Sequence, residues 1–135
     1  LAMTGPLAWE DEAKGRIAAD PALLGDAILA RKDAGTSYHL SVVVDDAAQG
    51  VTDVVRGRDL FAATHLHRLL QALLGLPSPR YHHHRLVVGS DGERLAKRKS
   101  APTLAALRAS GVDPAELVEN MRQARFPVGF ALQEE

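Results

Sequence analysis

The stretch Tyr38-His39-Leu40-Ser41-Val42-Val43-Val44-Asp45-Asp46 carries the densest structural signal in the chain. An aromatic start followed by three consecutive valines is the enrichment expected of a β-strand. Just upstream, Ala27-Ile28-Leu29-Ala30-Arg31 forms another apolar run, and Lys32-Asp33-Ala34-Gly35 between the two is a turn signal. The two runs are therefore expected to pair as a hairpin, with Ser37–Val44 as its second strand. The nearly unbroken apolar end of that strand is the pattern of burial on both faces, and Asp45-Asp46 is expected to stop it.

Working outward, Val51-Thr52-Asp53-Val54-Val55 is the next short strand, ended by Arg56-Gly57-Arg58-Asp59. Thr64 is a suitable N-cap for a helix running to about Leu74, with Leu66, Leu69, Leu70, Leu73 and Leu74 at helical spacing. Gly75 suits the residue after that helix, and Pro77 and Pro79 prevent its continuation. Arg85-Leu86-Val87-Val88 is a further strand, closed by the turn Gly89-Ser90-Asp91-Gly92. Two helices are expected to finish the chain: Thr103–Ser110, then Asp113–Arg125 with Asp113 as N-cap and Pro114 in the first helical position. Residues 1–24 mix Gly, Pro, Ala and charge, and are expected to form an irregular lead-in with one short helix. Strand, helix and strand in alternation is an α/β pattern, with fewer strands than a self-sufficient doubly wound domain needs.

The chain has 135 residues, 46% of them apolar and 24% charged, ordinary values for a globular domain. Sixteen Lys and Arg against seventeen Asp and Glu leave a net charge of −1, so polyanion binding has to come from a local patch. The absence of cysteine excludes disulfides, thiolate metal sites and a cysteine nucleophile. No apolar run approaches a membrane span, and the start lacks a signal-peptide pattern. The expected location is cytoplasmic. The first residue is Leu1 rather than Met, so a piece of something longer is expected.

Three constellations carry chemistry. Tyr38 on one strand and Arg56 at the end of the next can converge on a carboxylate, the guanidinium offering paired donors and the phenol a single hydroxyl. In the plainer reading, Asp45 and Asp46 end the strand and Arg56 pairs with one of them at the surface. Arg94-Leu95-Ala96-Lys97-Arg98-Lys99 places four cations among six residues after a glycine turn, which suits a polyphosphate or a nucleic-acid backbone; a solvated basic loop is the plainer alternative. His82-His83-His84 alternate across an extended segment, so at most two could share a metal, and no metal site is expected. His65 and His67 lie two apart on their helix and do not share a face.

Taken together, Tyr38-His39-Leu40 through Val43-Val44-Asp45-Asp46, Gly50-Val51-Thr52 and Val54-Val55-Arg56-Gly57-Arg58-Asp59-Leu60 resemble the class I glutamyl-tRNA synthetase family. Leu74-Gly75-Leu76-Pro77-Ser78-Pro79-Arg80-Tyr81 and Asp91-Gly92, Leu95 and Lys97 follow in that family's order. Within the family the likeness is greatest to the truncated paralogues, the glutamyl-Q tRNA(Asp) synthetases. Val42 stands where glutamyl-tRNA synthetases usually carry Asn, the Asp45–Gly50 turn is similar to the paralogue's, and little chain remains after Arg98 for an anticodon-binding domain.

The resemblance implies the C-terminal half of a Rossmann-like class I catalytic domain followed by short helices. The expected division is a lead-in (1–25), the second half of the catalytic domain (26–92), and the loop with its C-terminal helices (93–135). It also implies ATP-dependent activation of glutamate, with Mg2+ accompanying the ATP, and transfer to tRNA. For the paralogue the acceptor is the queuosine base of tRNA(Asp). By the same resemblance Tyr38 and Arg56 contact glutamate. Arg94, Leu95, Ala96, Lys97 and Arg98 match the KMSKS signature at the ATP phosphates, and Lys97 is the catalytic lysine. Arg94 replaces the first lysine of that signature and Ala96 its serine, so charge is kept and a hydroxyl lost. The HIGH signature and the zinc-binding cysteines lie upstream of anything in these residues, so this chain alone is expected to be inactive. A sheet edge left uncovered along Tyr38–Val44 or Val51–Val55 is expected to favour self-association. Two alternatives stand: a glutamyl-tRNA synthetase fragment acting in translation, and a non-catalytic half-domain that binds tRNA or a partner.

Overall fold

Strands β1 (Ala8–Asp11), β2 (Gly15–Ala18), β5 (Asp53–Gly57) and β6 (Arg80–His84) form a four-stranded sheet in the order β2-β1-β6-β5. The computed structural model describes residues 5–89, 91–95, 103–127 and 129–133. The chain divides into two units, Leu1–His84 and Arg85–Glu135. In the sheet of the first unit, β6 is parallel to both of its neighbours, while β1 and β2 are antiparallel. The α/β class expected from the sequence is the class observed. No helix among the described residues is long and apolar enough to cross a membrane.

Within the expected irregular lead-in, the one short helix expected there is the 3-10 turn Pro21–Leu24, while residues 8–18 are instead a β-hairpin built into this sheet. Its turn is organised by Asp11, whose Oδ1 accepts from the backbone N–H groups of Ala13 and Lys14, each at 3.1 Å. Burial does the rest: Trp9 is almost fully enclosed, with its ring edge-on to Phe61 and Tyr81 at 5.0 and 5.5 Å. One large aromatic side chain supplies apolar area that the composition of residues 1–24 does not advertise.

The second correction concerns the opening stretch. Residues Tyr38–Ala48 form a helix, α1, where a strand over Ser37–Val44 was expected. The hairpin survives only as β3 (Ala30–Arg31) and β4 (Gly35–Thr36). Helical winding puts Val43 into a core with Leu66 and Leu70 of helix α2 (Phe61–Leu74), flanked by Val42, Ala27, Leu29 and Leu76, while Val44 stays exposed. The helix penalty of a valine is only about 0.5 kcal/mol, against roughly 1.5–3 kcal/mol for burying one such side chain. Asp45 and Asp46 therefore lie inside the helix rather than ending a strand, and Tyr38–Val44 is not a sheet edge. The chain leaves α1 at Gln49, and Gly50 takes a left-handed φ of 69°.

Helix α2 connects β5 to β6 and begins four residues earlier than expected, after a 3-10 turn at Arg58–Leu60, so that Leu60 is its N-cap and Thr64 lies inside the helix. Its end matches expectation. Gly75 is left-handed (φ 67°), its N–H donates to Ala72 O at 3.4 Å, and the Leu76 N–H donates to Gln71 O at 2.8 Å. This is a Schellman cap, and Leu76 packs back on the core as that motif favours.

In β6 the alternation of the histidines is as read: Tyr81 and His83 are buried, His82 half-buried and His84 exposed. β5 is an edge of the sheet among the described residues, with Val55 70% exposed.

The second unit pairs β7 (Val87–Gly89) antiparallel to β8 (Phe130–Leu132). The strand expected at Arg85–Val88 thus starts two residues later. Helix α3 (Leu104–Ala109) is capped by Thr103, whose Oγ1 accepts from the Ala106 N–H at 3.1 Å. Helix α4 (Pro114–Arg122) is capped as expected by Asp113, which accepts from Ala115 and Glu116 at 2.8 and 2.9 Å. It stops three residues short of the expected Arg125, with Ala124 in a left-handed conformation (φ 53°).

Candidate active site

Arg56 leaves β5 beside the N-terminal half of α2 and is met there by acceptors on three elements. Its Nε donates to His83 Nε2 on β6 at 3.1 Å, and its Nη1 lies 3.3 Å from His67 Nδ1 on α2. Its Nη2 donates to Thr64 Oγ1 at 2.6 Å and to Leu60 O at 3.2 Å. The guanidinium also sits over the Tyr81 ring, 5.0 Å from its centroid. These contacts use four of the five guanidinium N–H groups. All the acceptors are neutral. Among the described residues no carboxylate lies within ion-pair distance of Arg56, so the surface pairing with Asp45 or Asp46 weighed above does not occur.

The acceptors are themselves held. Thr64 and His67 are almost fully buried on α2, and His83 Nδ1 lies 2.7 Å from Asp11 Oδ2 with both side chains out of solvent. Burial holds His67 neutral, with its pKa lowered to about 3; the charge of Arg56 and the neighbouring His39 and His83 push the same way. Burial lowers His83 too, partly offset by its bond to Asp11 and reinforced by Arg56. Burial alone would raise Asp11, but the bonds from His83, Ala13 and Lys14 outweigh it and keep the carboxyl below its usual value. On α1, Asp46 is raised by burial against the opposing charge of Arg56.

Tyr38, the first residue of α1, is half exposed and reaches the same place from the other side. Its ring lies 6.0 Å from that of His67 and 5.6 Å from that of His39. His39 Nδ1 is 3.0 Å from His67 Nε2. Tyr38 and Arg56 therefore both border His67.

Of the basic segment, only Arg94 and Leu95 are described. Arg94 forms an isolated antiparallel bridge with Val88, set up by the turn in which the Gly89 N–H donates to Glu93 O at 2.9 Å. Ala96, Lys97 and Arg98 lie outside the described residues. Among the described residues no group of three metal-ligating side chains is close enough to hold an ion.

Asp11, Thr64, His67 and His83 were not singled out as site residues from the sequence. Asp11 sits in an acid run, Glu10-Asp11-Glu12, whose outer members are exposed, and nothing local marks the middle one as buried. His83 was placed by strand alternation but without a partner, because Asp11 is seventy-two residues away in sequence.

The profile of the tRNA synthetases class I (E and Q), catalytic domain, matches residues 1–132. The chain belongs to that family. Over 94 residues it is 61% identical to the glutamyl-Q tRNA(Asp) synthetase of Rhodobacter capsulatus, a match covering 70% of this chain and 34% of that protein. The Xanthomonas campestris pv. campestris protein of the same name is 46% identical over 136 residues, covering 93% of this chain and 44% of the relative. The chain thus spans about a third to under a half of the curated relatives it matches. Among solved structures, the glutamate tRNA ligase of Elizabethkingia meningosepticum, in complex with its amino acid, superposes with a TM-score of 0.58 at 28% identity over 68% of this chain and 18% of that one. The glutamate-tRNA synthetase of Elizabethkingia anophelis gives 0.59 at 25% identity over 84% and 24%.

Proposed function

We propose that the intact protein activates glutamate with ATP and transfers it to tRNA, in the manner of the glutamyl-Q tRNA(Asp) synthetases it is similar to. The observation that carries this reading is Arg56: a half-buried cation whose protein partners are all neutral and whose charge no described carboxylate pairs with. Burying an unpaired charge is costly unless an anion completes it. One open N–H, a guanidinium with no described carboxylate at ion-pair distance and the nearby Tyr38 suit a substrate carboxylate.

In the proposed reaction the glutamate α-carboxylate attacks the α-phosphate of ATP in line. A mixed anhydride forms, the bond to the bridging oxygen breaks, and pyrophosphate leaves. An acceptor hydroxyl of tRNA then takes the glutamyl group and AMP departs. Positioning and cationic stabilisation do most of the work, so no general base in this chain is required. Tyr38 and Arg56 orient glutamate. Lys97, with Arg94, Leu95, Ala96 and Arg98 around it, stabilises charge on the phosphates, which Mg2+ would accompany. A cytoplasmic location is consistent with a tRNA substrate, and the exposed β5 edge is the surface through which self-association would occur.

The names of the relatives favour tRNA(Asp) as acceptor, whereas the solved structures are glutamate-tRNA ligases. Charging the intact protein with labelled glutamate separates the two. Label on queuosine-bearing tRNA(Asp), absent from the same tRNA lacking queuosine, supports the first reading. Label on the glutamate tRNA alone supports the second, and no label on any tRNA contradicts both.

A further inference from the structure

We propose that Asp11 and His83 are positioning residues for Arg56, and that a chain of fixed histidine tautomers aims this guanidinium at the substrate carboxylate. The inference rests on the glutamate reading above and concerns residues outside the contacts carried by the resemblance.

A guanidinium only donates, so the histidine nitrogens facing it must accept. At His83, the buried carboxylate of Asp11 takes the Nδ1–H at 2.7 Å, which leaves Nε2 with its lone pair turned to Arg56 Nε at 3.1 Å. At His67 the logic runs from the other end. Arg56 Nη1 faces Nδ1 at 3.3 Å, so Nδ1 accepts, Nε2 carries the proton, and it donates to His39 Nδ1 at 3.0 Å. Thr64 Oγ1 takes Nη2 at 2.6 Å and, 3.2 Å from His83 Nε2, ties the two arms together. Asp11 on β1 thus sets the polarity of the His83 arm, and Arg56 itself sets that of the arm running through His67 on α2 to His39 on α1.

Such a cradle does two things. It removes the torsional freedom of a long side chain before substrate arrives, which is how a second layer of contacts sharpens a binding group. It also engages all but one N–H, the second on Nη1, so a carboxylate has a single guanidinium donor left to meet. Protonating either ring would replace an acceptor with a cation facing Arg56. Besides burial, the groups that set those protonation states are Asp11, Arg56 and His82 around His83, and Arg56, His39 and His83 around His67, with Asp46 also sensing Arg56.

The test uses the intact protein, glutamate-dependent ATP–pyrophosphate exchange, and nitrogen-15 NMR of the histidine rings. A His83→Leu change removes the acceptor and should raise KM for glutamate at least about 10-fold while leaving KM for ATP within about 2-fold. A His83→Gln change restores an acceptor oxygen toward Arg56 and a donor toward Asp11, and should return the glutamate KM to within about 3-fold of the parent value. Equal damage by both variants, or parallel loss for ATP and glutamate, overturns the proposal and leaves His83 a packing residue. The ring spectra decide independently of any substrate: at pH 7, His83 should carry its proton on Nδ1 and His67 on Nε2. The opposite tautomer or a charged ring at either position overturns the cradle, even in a protein that activates glutamate. Absence of exchange in the parent protein, with both tautomers as stated, removes the glutamate reading and leaves the cradle standing.

Discussion

Asp11 Oδ2 lies 2.7 Å from His83 Nδ1, with side-chain exposures of 1% and 0%, and this bond adds a buried side-chain tie to the pairing of β1 with β6, the strand beneath Arg56. Breaking it leaves a buried imidazole N–H without an acceptor. It also strips the β1–β2 turn of two backbone bonds. Asp11→Ala should destabilise the protein by about 1.5–3 kcal/mol, the range for a hydrogen bond to a charged group. Urea unfolding measures it. A change under about 0.5 kcal/mol would mean the bond contributes nothing beyond what water supplies.

Stability should also fall as the solution is acidified through the range where histidine normally titrates. His67 has a folded pKa lowered to about 3, and His83 is lowered as well, so the unfolded chain binds protons that the native state does not. With more protons bound on the unfolded side, stability rises with pH up to the unfolded value near 6.5 and is level above it. Below about pH 6, His67 should cost roughly 1.4 kcal/mol per pH unit, and His83 adds a loss of the same sign. Asp11 adds a further loss only near pH 4 and below, where its own unfolded form takes up a proton. Urea midpoints at pH 8, 7, 6 and 5 test the sign; a flat profile from 8 to 5 would show that both rings titrate normally in the fold.

In the basic segment, Lys97→Ala should depress glutamate-dependent ATP–pyrophosphate exchange more than it weakens glutamate binding. Its charge is needed most as negative charge builds on the phosphates. Arg98 and Lys99 are close in sequence and can compensate, so a loss of about 10–100-fold is expected. If Arg94→Ala is the more damaging change, the segment is out of register with the signature it resembles.

Much of this architecture could be read from residue patterns, and the failures share one cause. Local chemistry placed the caps: Gly75 needs a left-handed φ, and Asp113 followed by Pro114 opens a helix whatever lies around it. The valine run at 42–44 was misread because its propensity favours a strand, while its partners, Leu66 and Leu70, are more than twenty residues away and require a helix. Residues 8–18 were misread for the same reason. Their strand character comes from Trp9 packing on Phe61 and Tyr81, which no window around Trp9 contains. Tyr38 and Arg56 stood out because Tyr and Arg have few equals as carboxylate donors. The residues that hold Arg56 in place did not, because a buried histidine or aspartate looks the same in sequence as an exposed one.

The account rests most heavily on Arg56, and the glutamate dependence of ATP–pyrophosphate exchange in the intact protein, compared between the parent and Arg56→Ala, tests it most directly. Loss of a charge-assisted contact to a desolvated carboxylate should cost about 2–5 kcal/mol. KM for glutamate should therefore rise by roughly 30-fold or more, with the ATP dependence nearly unchanged. An Arg56→Ala protein that folds and keeps the parent's glutamate dependence would contradict the account, leaving Arg56 as a structural cation held by two histidines and a threonine.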